Sequence, residues 1–249
     1  ENGLEYLKKS TEIFDVIYID PSRRNDVKEK VFLLKDCEPN IPENIDLLFK
    51  KTKTILLKNS PILDITSAIN ELKFVKEIHV VAINNDVKEL LYILEKGYCK
   101  EILIKTINFT KKSAQKFHFN YHKKPVSSYQ EPLEYLYEPN AAVLKSGAFH
   151  EISTQLNIFK LHQHSHLYTS KKRIEFPGRE FKIVAVLPYD KKQILKLLPN
   201  KKANITIRNF HKTVAQIRKE LKIKDGGDSF LFFTTNIHNK FICMYCKKL

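Results

Sequence analysis

The strongest constraint on the fold is the run Phe14-Asp15-Val16-Ile17-Tyr18-Ile19-Asp20, stopped by Pro21. β-Branched and aromatic residues dominate it, the pattern of a strand buried on both faces of a parallel sheet. Such a sheet needs helices between its strands, and the next hundred residues supply them. Residues 41–52 have helical spacing: Ile45, Leu48 and Phe49 share a face, and Pro42 is tolerated in the first turn. Residues 54–57 predict a short strand closed by Asn59-Ser60-Pro61. Residues 62–72 are again helical, with Ile62, Ile65, Ile69 and Leu72 in register. Residues 77–83 predict a strand. Residues 87–96 predict an amphipathic helix with Asn84 and Asn85 at its N-cap and Gly97 as its stop. Residues 101–107 complete the series. The expectation for residues 1–110 is a mainly parallel α/β sheet of four strands.

Ligands of open α/β sheets sit beyond the carboxyl ends of the strands. Two segments are expected at that edge: Asp20-Pro21-Ser22-Arg23-Arg24 and Lys58-Asn59-Ser60-Pro61-Ile62-Leu63-Asp64. Each is polar and stiffened by proline where a strand emerges. A single Asp-Pro reads best as a strand-terminating turn, but two such segments at adjacent strand ends read as a site.

Charge divides the chain. Residues 1–105 carry 17 Lys/Arg against 18 Asp/Glu, and residues 106–249 carry 26 against 10. A neutral α/β half joined to a strongly basic one is the electrostatic pattern of a catalytic-type module coupled to a nucleic-acid-binding one. The alternative is a basic face that only solubilises. The longest apolar runs, residues 183–188 and 230–233, are too short to cross a bilayer. Cys37, Cys99, Cys243 and Cys246 are scattered, which suits a reducing cytoplasm better than a disulfide framework.

Residues 111–134 are polar and predict a linker. Residues 135–179 lie between that linker and a second periodic region. Residues 140–156 predict a helix there, with Ala141, Leu144, Ala148 and Ile152 on one side. In residues 180–249 the order is strand 181–187, helix 191–198, strand 204–210, helix 213–221, then a strand pair at 230–234 and 241–245. That order suits a small α/β sandwich. Lys201, Lys202, Arg208, Lys212, Arg218, Lys219, Lys222 and Lys224 cluster around its second strand and helix, as candidates for phosphate contacts. His162, His164 and His166 alternate as a strand face would, but no carboxylate or cysteine joins them at ligand spacing, so no metal site is expected. Cys243 and Cys246 have zinc-knuckle spacing inside a predicted strand, where residues three apart point to opposite faces.

The Asp20–Arg24 segment resembles motif IV of class I S-adenosylmethionine-dependent methyltransferases, Asp/Asn-Pro-Pro-aromatic. The resemblance implies that Asp20 accepts a hydrogen bond from the substrate and that Pro21 fixes the turn, with positioning as the main catalytic contribution. Ser22 stands where the second proline would be, and Arg23 replaces the aromatic that stacks on a flipped base. A guanidinium can stack on a base or grip a phosphate, so a nucleic-acid substrate remains compatible.

Five segments extend the likeness over almost the whole chain: Asp20-Pro21-Ser22-Arg23-Arg24, Lys58–Asp64, Tyr137-Glu138-Pro139-Asn140 with Leu144-Lys145-Ser146-Gly147, His166-Leu167-Tyr168-Thr169-Ser170, and Phe176-Pro177-Gly178-Arg179. Together they resemble bacterial methyltransferases with a C-terminal THUMP-like domain. The resemblance implies a partial Rossmann-like methyltransferase sheet, a small ferredoxin-like connecting domain and a THUMP-like α/β sandwich. It also implies that the cofactor's glycine loop lies upstream of Glu1. The function expected is S-adenosylmethionine-dependent methylation of structured RNA, tRNA or rRNA, with Asp20, Pro21, Ser22 and Arg23 catalytic and Arg24, Lys58, Ser60 and Asp64 at the substrate edge. These 249 residues alone are expected to have little activity. The alternatives are a non-catalytic RNA-binding module on a methyltransferase scaffold, or a methyltransferase acting on a protein or small molecule.

Overall fold

The computed structural model describes residues 2–22, 33–121 and 125–249. The chain divides into two compact units, one of residues 1–123 and 141–148, the other of residues 124–140 and 149–249.

The first unit runs α1 (Gly3–Lys9), β1 (Phe14–Ile19), α2 (Ile41–Lys51), β2 (Thr52–Asn59), α3 (Ile65–Glu71), β3 (Val75–Ile83), β4 (Asp86–Glu95), β5 (Leu103–Phe109) and β6 (Ala114–Asn120). Its strands form one sheet in the order β1-β2-β4-β3-β5-β6. Helix α2 begins where the Asn40 side chain accepts from the Glu43 N–H, with proline in its first turn. It buries Ile41, Ile45, Leu48 and Phe49 and packs on β2, whose Ile55 and Leu57 are fully buried.

Residues 86–95 are a strand where a helix is expected. Leu90-Leu91-Tyr92-Ile93-Leu94 is apolar at every position, so it fits either period, and burial falls on Leu90, Tyr92 and Leu94 at period two. Asn84 and Asn85 cap no helix there. Both hold positive φ, 50° and 66°, and form the two-residue turn of the β3–β4 hairpin. Strand β4 runs antiparallel to both β2 and β3, so the sheet is mixed rather than mainly parallel, with parallel pairs at β1–β2 and β3–β5.

Two further expectations change. The linker predicted from residue 111 holds β6, antiparallel to β5, because Phe117 and Phe119 alternate with polar residues and bury one face. Strand β1, expected to be buried on both faces, is the outermost strand of the sheet formed by the described residues, with Val16 and Tyr18 exposed at 52% and 56%.

The helix predicted over residues 140–156 breaks at Gly147, whose φ of +76° ends α4 (Ala141–Ser146) before α5 (Glu151–Gln155). Helix α4 packs on β3, β4 and β5. Its first N–H is accepted by Asn85 Oδ1 at 2.8 Å, and Lys145 Nζ donates to the Leu63 carbonyl at 2.9 Å.

The second unit contains β7 (Tyr135–Pro139), α5, β8 (Phe159–Lys160), β9 (Tyr168–Ser170), β10 (Gly178–Pro188), α6 (Lys191–Lys196), β11 (Asn204–Arg208), α7 (Val214–Leu221), β12 (Phe230–Thr235) and β13 (Phe241–Lys248). The sheet order is β11-β12-β13-β10-β7-β9-β8. The strand-helix-strand-helix-strand-strand order expected after residue 180 is present. Thr213 and Gln216 form a capping box that starts α7 and turns Ile217 and Leu221 inward. Core forms on both sheet faces. Phe233 and Cys243 join the helices' Ile194, Ile217 and Leu221, while Phe181, Phe232, Met244 and Cys246 fill the other. Cys243 and Cys246 thus fall in opposite cores, as an interval of three in a strand requires, and burial pushes both thiols up.

The three alternating histidines share no strand face. Residues 162–165 make a turn closed by Ser165 N–H to the His162 carbonyl, and His166 sits at φ 50° with its ring stacked on Phe149 at 3.8 Å. Burial, then the charges of Lys160 and Arg208, push His166 down to about 4. The unfolded chain takes up this proton near pH 6.5 and the native chain near 4, so the unfolded state binds more protons in between. Stability is therefore expected to fall as pH drops from about 6.5 to 4, at no more than about 1.4 kcal/mol per pH unit from this group. Urea midpoints of wild type and His166→Asn, which tolerates the left-handed backbone, should diverge over that window; superimposed curves would refute it.

Candidate functional site

Strands β1 and β2 are parallel neighbours whose last paired residues are Ile19 and Leu57, so their carboxyl ends emerge side by side. A cavity of about 310 Å3 opens there, lined by Asp20, Pro21, Ser22, Lys58, Ser60 and Glu89 among others. The two segments singled out in the sequence therefore meet. Lys58 Nζ lies 2.6 Å from Asp20 Oδ2 and 3.8 Å from Glu89 Oε2, an ion cluster contributed by β1, β2 and β4. The Asp20 carboxylate, helped by Glu89, raises the Lys58 ammonium above the ordinary lysine range. The turn after Asp20 is pinned by Ser22, whose N–H donates to the Glu38 carbonyl at 2.8 Å while Glu38 N–H returns to the Ser22 carbonyl at 2.9 Å.

Other candidates have structural work at this edge. Ser60 Oγ accepts from the Ile62 N–H at 3.4 Å and its carbonyl from the Leu63 N–H at 3.2 Å, closing the turn after β2. Asp64 Oδ1 accepts from the Ser67 N–H at 2.8 Å and caps α3. Arg23 and Arg24 lie outside the described residues.

Asn59 lines the same cavity; its segment is expected at this edge from sequence, but no individual role is read for it there. It is 2% exposed, and neither its Oδ1 nor its Nδ2 has a hydrogen-bond partner. Burying an unpaired amide opposes folding, and sites that keep one call for an explanation. Asn59→Leu is expected to raise stability by about 1–3 kcal/mol, since the polar atoms are removed and the volume kept. A lowered melting temperature would show that the amide is already satisfied. The sequence signal was an asparagine at the end of an apolar strand, in the alternate position that Ile55 and Leu57 fill with aliphatics.

In the second unit the eight basic candidates do not form one array. Arg208 Nη2 donates to the buried Glu138 at 2.9 Å. Lys212 pairs with Glu220 at 2.6 Å and lies over the Tyr189 ring, and Arg218 is held by Asp225 and the Ala203 carbonyl. Lys201, Lys202, Lys219, Lys222 and Lys224 hold no ion pair among the described residues. Lys202 and Lys224 are joined by a backbone bridge beside the Gly226-Gly227 turn, which the Lys202 side chain lines. Among the described residues no group of three or more His, Cys, Asp or Glu is placed to hold a metal ion, and no helix is long and apolar enough to cross a membrane.

The fold defines an α/β protein with a polar strand-end cavity in one unit and a basic, sheet-based second unit. Residues 135–177 match the ferredoxin-like domain family, and residues 178–248 match the THUMP domain-like family. The chain is similar to the crystal structure of a putative methyltransferase from Porphyromonas gingivalis W83, with a TM-score of 0.86 and 33% identity. That match covers 94% of this chain and 59% of the other, so the chain spans less than two thirds of its relative's length. No curated protein matches it. In fold the chain is similar to that methyltransferase, and its last seventy or so residues are THUMP domain-like.

Proposed function

We propose that the chain is the substrate-facing part of an S-adenosylmethionine-dependent methyltransferase that acts on structured RNA, a tRNA or rRNA. The observation that carries this reading is the pairing of Asp20 with Lys58 at the ends of β1 and β2, in a chain whose fold matches a methyltransferase. Lys58 holds the Asp20 carboxylate through one oxygen, which leaves the other to accept a hydrogen bond from the atom to be methylated. Pro21 and Ser22 fix the turn that presents it. Lys58, Ser60 and the capped start of α3 at Asp64 border the substrate, and Arg23 and Arg24 reach its phosphates or stack on a base. In the second unit, Lys201, Lys202, Lys219, Lys222 and Lys224 contact phosphate, while Arg208, Lys212 and Arg218 shape the surface that carries them.

The cavity's donor set does not fit the whole cofactor. Asp20, Lys58, Asn59, Ser60 and Glu89 offer polar side chains, yet no glycine follows the end of β1 or β2, where a backbone cradle for a nucleoside cofactor would form. No residue of this cavity is therefore assigned to the methyl donor, and this part of the site acts on the substrate alone.

Binding tests the reading. The intact protein should bind S-adenosylmethionine by calorimetry and bind RNA with an affinity that falls steeply as salt rises. Binding of neither would end it. RNA binding by the intact protein with no methyl transfer would mark a non-catalytic module instead. Transfer into RNase-resistant material would mark a protein or small-molecule substrate.

A further inference from the structure

A second cavity, of about 610 Å3, lies in the second unit among His162, His164, Asn209, His211, Asn239 and Phe241. Its floor is one histidine whose hydrogen bonding is fixed from three directions. His162 Nδ1 accepts from the His164 backbone N–H at 3.1 Å and from Asn209 Nδ2 at 3.0 Å. That leaves Nε2 to carry the proton and donate to Asn239 Oδ1 at 3.1 Å. Both asparagines hold left-handed backbone, φ 49° and 58°, where a short amide side chain is among the few that sit without strain.

The loops that carry them are themselves locked. Thr235 Oγ1 donates to the Asn209 carbonyl at 2.6 Å, and the buried Asn236 accepts from the His238 and Lys240 N–H groups at 3.1 and 2.8 Å. The amide atoms not spent on His162, Asn209 Oδ1 and Asn239 Nδ2, provide one acceptor and one donor. The other wall is aromatic. His211 lies 4.3 Å from Phe241 and 4.6 Å from Phe210, centroid to centroid, and Phe241 is 43% exposed. The unit around this cavity carries the chain's basic excess, which attracts a polyanion.

We propose that this cavity takes one unpaired nucleobase of a bound RNA, stacked on the exposed Phe241 ring that His211 packs against, its edge met by the amides of Asn209 and Asn239. An exposed aromatic ring, an amide pair offering donor and acceptor, and a basic unit to hold the backbone are together what a splayed base requires. The proposal rests on the reading that the protein binds RNA, and it adds where and how a base is held.

The test uses the intact protein and single-stranded RNA decamers, each carrying 2-aminopurine at one position, whose fluorescence falls on stacking. At one or more positions the signal should be quenched. Phe241→Ala and His211→Ala should each relieve the quench and weaken binding about tenfold, as loss of a base–aromatic stack does, with the salt dependence unchanged. Asn239→Gly keeps the left-handed backbone and should reduce discrimination between bases with less loss of affinity. Circular dichroism confirms that each variant is folded. Full-strength binding and quenching by folded Phe241→Ala and His211→Ala would overturn the proposal and leave RNA binding in place as a purely electrostatic property. No binding by wild type at low salt would overturn both.

Discussion

Gly178→Ala should destabilise the second unit by more than about 3 kcal/mol, beyond the usual range for overpacking a well-packed site. Gly178 opens β10 and is paired with Pro139 of β7. A β-carbon there would land on the Glu138 carbonyl oxygen, and 2.9 Å from both the Glu138 carbonyl carbon and Phe176 Cε1. The obstacle is backbone, so no rotamer change relieves it. The strands must part, and β7 links β9 and β8 to the rest of the sheet. Urea unfolding followed by tyrosine fluorescence would register the loss. A midpoint within a few tenths molar of wild type would show that β7 and β10 do not approach so closely.

Glu138→Ala should cost about 3 kcal/mol, the lower end for breaking a buried ion pair, because its partners are partly solvated. The carboxylate is 3% exposed, accepts from Arg179 Nε at 2.6 Å and from Arg208 Nη2 at 2.9 Å, and is the only anion that keeps those two guanidiniums together among the described residues. Removing it leaves two cations facing one another, with the buried Arg208 Nε already unpartnered. Returning the cluster to its original net charge should recover part of the loss, so Glu138→Ala with Arg208→Met is expected to be more stable than Glu138→Ala alone. Equal stability of wild type and the single variant would place the pair among solvated, weakly coupled charges. The same geometry makes Arg208 a poor phosphate ligand: Arg208→Ala should lower stability while leaving the salt slope of RNA binding nearly unchanged.

These two positions explain what the sequence signatures are for. Tyr137-Glu138-Pro139-Asn140, His166–Ser170 and Phe176–Arg179 pack on one another. Tyr137 meets Ser170 through its hydroxyl at 3.0 Å and lies 5.0 Å from the Phe176 ring, and Asn140 N–H donates to the Pro177 carbonyl at 3.0 Å. They were legible as a signature because such a junction tolerates few residues, yet their work is structural. The strand-end segments were legible for another reason. Proline after an apolar run marks where a strand leaves the sheet, and Asp20 and Lys58 then meet without further information.

What sequence could not supply was partnership across the sheet. A run apolar at every position, Leu90–Leu94, has no period to betray it, and only pairing with β2 on one side and β3 on the other selects a strand. The basic residues from Lys201 on read as one array because charge is visible in sequence while pairing is not: Glu138 reaches Arg208 from β7, and Glu220 and Asp225, though in the same stretch, meet Lys212 and Arg218 only in the fold. Asn59 and the His162 cavity escaped for the same reason. An unsatisfied amide and a fixed imidazole are defined by their neighbours.

The central claim is that Asp20 presents an RNA atom for methylation. The measurement that tests it most directly is transfer of tritium from labelled S-adenosylmethionine to cellular RNA by the intact protein, beside its Asp20→Ala variant. Asp20 is half exposed, so the variant should fold and bind RNA as wild type does. The account predicts RNase-sensitive label with wild type and at least a hundredfold less with Asp20→Ala, roughly the cost of lost positioning of a reacting atom. RNA labelled equally by both proteins, or by neither, would contradict it.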